Sequence, residues 1–152
     1  MTGFVPSTEF VAFVQGLISA KKQLGSFSLD LTVSSVSMVR SGGSLDFGGS
    51  EYRQAAKELL HPVKNTREEP YGWWKLEPGT YLIRFNEKIH PSNPMLIMIL
   101  PHDRLLAAGA SHSPTVVERL DEQVTVLLHV GSGGLAVKEN ARISRAVISS
   151  LH

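Results

Sequence analysis

Two apolar runs, residues 81–85 and 95–100, limit what this chain can fold into more than any other feature. Each has the length of one β-strand and is too short for a helix bounded this way. Glu77-Pro78-Gly79 precedes the first run, and a polar, proline-bearing segment, residues 90–94, separates the two. The pair predicts the centre of a sheet. The second run ends in Pro101-His102-Asp103-Arg104, a compact polar group on a strand end, where chemistry is often carried.

The rest of the chain adds short strands around this centre. Residues 28–33 alternate, with Leu29, Leu31 and Val33 on one side and Ser28, Asp30 and Thr32 on the other. An acidic residue in mid-strand implies a wet face or a carboxylate with a job. Residues 36–39 continue or pair with this strand, 41–44 form a turn, and 45–47 return. Residues 124–130, 135–137 and 141–148 read as further strands, with the Gly-rich turn 131–134 between the first two. Two helices are expected. One starts at Ser7 as cap, carries Phe10, Val14, Leu17 and Ile18 on one face, and stops at Gly25. The other spans 50–60, from Ser50 as cap to the stop before Pro62. Trp73 and Trp74 open a strand, as packing residues or as a stacking platform for bases. The expectation is one mainly β domain over 1–152, a distorted β-barrel or jelly roll with an N-terminal helix and one short internal helix.

Composition excludes several function classes. Fifteen basic and fourteen acidic residues leave no strong field to draw nucleic acid or a membrane surface. The chain contains no cysteine, which removes disulfides and thiolate metal sites. The N-terminus MTGFVPSTEF has no basic region followed by an apolar core, and the apolar runs fall far short of the ~18 residues of a membrane span. A cytoplasmic protein without membrane or nucleic-acid partners is expected.

On their own chemistry, two polar clusters stand out. His102-Asp103-Arg104 offers a guanidinium for phosphate, or an Asp103–Arg104 ion pair on a wet turn. Residues 118–122 hold three carboxylates, able to act as a base or to lie on a solvated loop. The six histidines show no metal-ligand spacing, the Gly-rich turn lacks the Gly-Lys-Ser/Thr ending of a phosphate loop, and no GxSxG elbow occurs.

From Ser28 to Ile148 the order of segments resembles the dUTPase and dCTP deaminase superfamily, in particular its archaeal dUTPase-like members. Ser28-Leu29-Asp30-Leu31 is similar to the first motif. Residues 77–87 are similar to the strand pair before the second. PHDRLLAAG, residues 101–109, occupies the place of the Arg-Ser-Ser-Leu segment. TVLLHV and KENARISRAV are similar to the last strands, with an Arg-Ile pair at Arg142-Ile143. The resemblance implies a dUTPase-like β-clip barrel and a homotrimer with active sites shared between subunits. It also implies Mg²⁺-dependent cleavage of dUTP to dUMP and pyrophosphate. In its terms Asp30 and Glu118 are the catalytic carboxylates, and Arg104, His102, Arg142 and Arg145 are phosphate-side groups, with no metal held by protein side chains alone. The motifs also depart from the pattern. His102, Asp103 and Arg104 replace Arg-Ser-Ser, and Arg145 replaces a Gln. Alignment from one side puts Glu118 at the catalytic acid, and from the other puts Val117 there. A deaminase would need its Glu near Leu127, which has no acid–base chemistry. Two functions follow from this: a dUTP-cleaving enzyme with a rearranged, weakened site, or a catalytically inactive trimer of the same fold that binds a nucleotide or a protein.

Overall fold

The computed structural model describes residues 3–151. Thirteen strands and few helical turns follow in order. They are β1 (Gly3–Phe4), a 3₁₀ helix (Ser7–Ala12), β2 (Val14–Gln15), α1 (Ala20–Gln23), β3 (Ser28–Ser41), β4 (Ala56–Leu60), β5 (Trp73–Leu76) and β6 (Gly79–Phe85). Then come β7 (Lys88–Ile89), β8 (Met95–Pro101), α2 (Asp103–Ala107), β9 (Ala110–Ser111), β10 (Thr115–Val117), β11 (Val126–Val130), β12 (Leu135–Lys138) and β13 (Arg142–Ser150). The mainly β fold expected from the sequence is the fold found, a main sheet curled into a half-barrel.

The strand order of that sheet is β10-β8-β13-β3-β6-β11-β9, with β1 on β13 and β4 on β3. Both apolar runs are strands, as expected. Tyr81, Ile83, Ile97 and Ile99 lie in the core with Leu29, Leu31, Leu128 and Ile148. β3 is the longest strand and is central. Its first half pairs with β13 and its second half with both β4 and β6. Residues 29–33 are all buried, so both faces of this stretch are covered and Asp30 does not face open water.

The helices differ from the sequence expectation. The N-terminal segment breaks into the 3₁₀ turn, β2 and the four-residue α1. Gly16 explains the break: its φ is +85°, and a Cβ there would lie 2.5 Å from the Asn86 carbonyl oxygen. Close approach to the β6–β7 connection therefore outweighs the helical spacing of Phe10, Val14, Leu17 and Ile18. Ser7 caps nothing; its hydroxyl donates to the Gly25 carbonyl, and Ser19 caps α1 instead. Residues 50–60 do not form a helix. Their second half is β4, an edge strand on β3; the short returning strand expected at 45–47 does not form, and the bridge Ser44–Arg53 lies just before it. The internal helix sits at α2 instead, on the polar group after β8.

Candidate functional site

β8, β13 and β3 are neighbours, and this adjacency gathers the polar residues into one place. Arg145 lies directly across from Asp30 in the β13–β3 register. His102 follows β8, and its backbone N–H donates to the Ile143 carbonyl at 3.1 Å, which fixes the start of α2 against β13. Arg142 and Arg145 are three residues apart and would point to opposite faces of a regular strand. The register shift between Arg142 and Ser144 is a bulge, and it turns both guanidinium groups toward the same carboxylate.

Asp30 is the hub. One oxygen lies 3.3 Å from Arg142 Nη1 and 3.3 Å from His102 Nε2; the other accepts from Arg145 Nε at 3.4 Å. The Asp30 side chain is only 11% exposed, whereas those of Arg142 and Arg145 are 29% and 35% exposed. The carboxylate is thus interior and the cations reach outward from it. Arg145 Nη1 also lies 3.7 Å from the well-exposed Asp103 carboxylate. The Arg104 backbone N–H donates to His102 Nδ1 at 3.1 Å, so Nδ1 is the acceptor nitrogen. In the neutral ring the proton then sits on Nε2, facing Asp30.

A buried polar layer fixes the strand that carries Asp30. Gln23 Nε2 donates to the Asp30 carbonyl and to Glu87, both at 2.9 Å. The Thr32 N–H and hydroxyl donate to the Glu87 carboxylate at 2.7 and 2.5 Å. Asn86 Nδ2 donates to Thr32 Oγ1 at 3.0 Å and to Asn140 Oδ1 at 2.9 Å. Glu87 is 1% exposed, and burial raises its carboxyl pKa against the opposing effect of these hydrogen bonds. Behind the arginines, the Ser144 hydroxyl donates to His112 Nε2 at 2.7 Å, while Nδ1–H donates to the Ser113 carbonyl at 3.0 Å. Burial lowers the His112 pKa. Ser144 and His112 are 0% and 3% exposed, so this pair packs strands together and cannot meet a substrate. Sequence reading missed Gln23, Glu87 and Ser144, and it weighed His112 with Ser111 and His102 rather than with Ser144. A glutamate between two apolar strand segments was the only hint, at Glu87.

Of the six residues picked from the sequence, Asp30, His102, Arg142 and Arg145 come together. Arg104 lies beside them: with Arg142, Trp73 and Lys138 it lines a groove of about 210 Å³. Lys138 Nζ stands 5.5 Å from the centre of the Trp73 ring there, a cation–π contact. Glu118 is elsewhere. Val117 pairs with Ile97, near the start of β8, whereas His102 follows its end. Six residues at ~3.3 Å each put Glu118 on the order of 20 Å along the sheet from His102. It lines a separate groove of about 610 Å³ with His90, Met95 and Arg119.

The cluster does not fit a protein-held Mg²⁺. Both Asp30 oxygens face cationic groups, and among the described residues no group of three or more potential ligands converges. Mg²⁺ usually takes one or two carboxylates together with substrate phosphates, and Asp103 alone is exposed here to serve.

No protein-family model matches the chain. A probable deoxyuridine 5'-triphosphate nucleotidohydrolase of Methanococcoides burtonii is 22% identical over 142 residues, covering 91% of this chain and 79% of the relative. Its counterpart in Methanosarcina mazei is 23% identical over 141 residues, with the same coverage. Among solved structures, the 2'-deoxycytidine 5'-triphosphate deaminase of Agrobacterium tumefaciens superposes with a TM-score of 0.64 at 11% identity. That match covers 99% of this chain and 49% of the other, so this chain spans about half its length. Sequence and fold thus agree with the resemblance carried by the motifs: the chain has the dUTPase-like fold and is a sequence relative of proteins named probable dUTPases.

Proposed function

We propose that this chain binds a deoxynucleoside triphosphate such as dUTP, with its phosphates on Arg142 and Arg145 beside His102. The observation that carries this reading is the bulge in β13, which aims two part-exposed guanidinium groups to one side of a buried carboxylate. Asp30 fixes their planes, and their outer N–H groups are the natural partners of phosphate oxygens. Arg104 extends the cationic surface along the adjoining groove, and the Trp73 side of that groove offers an aromatic wall. The substrate is the nucleotide as its Mg²⁺ complex, since among the described residues no group of three or more side-chain ligands converges to hold the metal.

Cleavage of dUTP to dUMP and pyrophosphate is the activity this reading assigns, in weakened form. A base must activate water, and Glu118 lies too far along the sheet to serve the cluster of its own chain. It can serve only from a second copy, which fits a homotrimer with shared sites. A second reading, binding without turnover, is favoured by one observation: Asp103 brings a carboxylate to 3.7 Å from Arg145 Nη1, where it repels a phosphate. The experiment is pyrophosphate release from dUTP with Mg²⁺, alongside equilibrium binding and light scattering. Slow turnover lost in Glu118→Gln, with binding kept, supports the enzyme. Binding with no turnover supports the second reading. Absence of binding of any deoxynucleotide overturns both.

A further inference from the structure

A second groove, of about 790 Å³, lies away from the Asp30 cluster, and its lining includes Arg53, Lys57, Arg84, Tyr52, Gln54 and Gln123. We infer that it is a second binding site, for a phosphorylated small molecule with a planar ring, such as a nucleoside polyphosphate.

The strand register builds the site. Lys57 pairs with Val39, and Arg84 pairs with Ser35, on opposite sides of β3. Both lie on the face opposite Val36 and Ile83, which are fully buried, so both cations stand on the outer face of the sheet. Four residues along and two strand spacings across separate their backbones by roughly 16 Å. Two long side chains reaching inward from that separation can close on a di- or triphosphate. Arg53 stands on the third side, and its backbone is fixed there. Its N–H and carbonyl bond to Ser44 at 3.0 and 2.9 Å. Gly43 passes so close that a Cβ would lie 1.9 Å from the Arg53 carbonyl oxygen. The Asp46 carboxylate holds the rest of the loop by accepting from the Gly49 and Glu51 N–H groups, both at 3.0 Å.

Charge points to the ligand. No carboxylate lines the groove, and among the described residues none of the three cations has an ion-pair partner. By contrast, neighbouring Arg40 is neutralised by Glu58. Three unpaired cations around one concavity match a polyanion, and the volume lies in the range of small-molecule sites. Tyr52, half exposed at the rim, supplies a face for a planar ring, and the two glutamines supply amides for its edge. The site stands independently of the phosphate-binding reading of the Asp30 cluster.

Amide shifts of the ¹⁵N-labelled full chain, titrated separately with inorganic tripolyphosphate and with ATP, test it. Shifts are expected at residues 43–57, at Arg84 and at 123–125, saturating below about 1 mM, with ATP tighter than tripolyphosphate. Lys57→Ser with Arg84→Ser, both on the wet face, should weaken binding there by about tenfold or more while unaffected shifts elsewhere report an intact fold. No shifts in these segments, equal affinity for the two ligands, or undiminished binding in the double variant would overturn the inference. Shifts at residues 30, 102–104 and 142–145 report the other cluster, so either site can fail alone.

Discussion

Asp30→Asn probes the hub of the cluster. The amide keeps the side-chain shape but turns one oxygen into a donor. That donor must face either Arg145 Nε or the pair formed by Arg142 Nη1 and His102 Nε2, now within 3.3–3.4 Å. Removing one partner of a fully buried pair costs ~3–5 kcal/mol. Here the arginine side chains keep 29% and 35% exposure, so water takes over part of their solvation. The contacts are also long for hydrogen bonds. About 2 kcal/mol is the resulting expectation, which for a chain of this size lowers Tm by roughly 4–8 °C. Thermal and urea denaturation at neutral pH read it directly. A double-mutant cycle with Arg145→Gln isolates the pair and should give a coupling of about 1 kcal/mol. A Tm within about 1 °C of wild type, together with no coupling, would refute the claim that Asp30 holds the arginines.

Glu87→Ala should cost about 3–4 kcal/mol in urea denaturation, because it strips the Thr32 N–H and hydroxyl and one Gln23 contact of a buried acceptor; a loss under about 1 kcal/mol would mean water replaces it. His112 should give stability a pH dependence. Its folded pKa is lowered, so stability declines as pH falls through 6.5, the ordinary value at which the unfolded chain takes up a proton. The decline ends below the folded pKa, and His112→Gln should remove that slope in a pH series of melts. Glu118→Gln should abolish dUTP turnover while leaving affinity for dUTP within about threefold, as measured by calorimetry, because Glu118 acts on water rather than on the phosphates.

Much of the sheet was legible because its central strands are half or fully buried. Alternation at residues 28–33 gave the first half of β3, and short apolar runs, the first interrupted only by Arg84, gave β6 and β8. The two misread segments have different physical reasons. Apolar residues 10–18 do recur at helical spacing, but Gly16 must lie against the Asn86 carbonyl, a contact 70 residues away that spacing cannot reveal. β4 is an edge strand exposed nearly throughout, so it lacks the alternation that marks a buried strand. The site was legible in its residue types. Asp30, His102, Arg142 and Arg145 were all picked out, and the three adjacent strands bring them together. The β13 bulge was not legible, although without it Arg142 and Arg145 could not face the same carboxylate. The role given to Glu118 reads differently now, since the sheet places it far from the cluster within one chain. The polar group after β8 proved to be a helix start, with His102 as its cap through Nδ1.

A crystal structure with the non-hydrolysable analogue α,β-imido-dUTP and Mg²⁺ tests the central claim most directly. The account predicts phosphate oxygens about 3 Å from the Arg142 and Arg145 guanidinium nitrogens, with Glu118 of another copy facing the α-phosphate. An analogue bound away from β13, or a cluster left empty at saturating ligand, would contradict it.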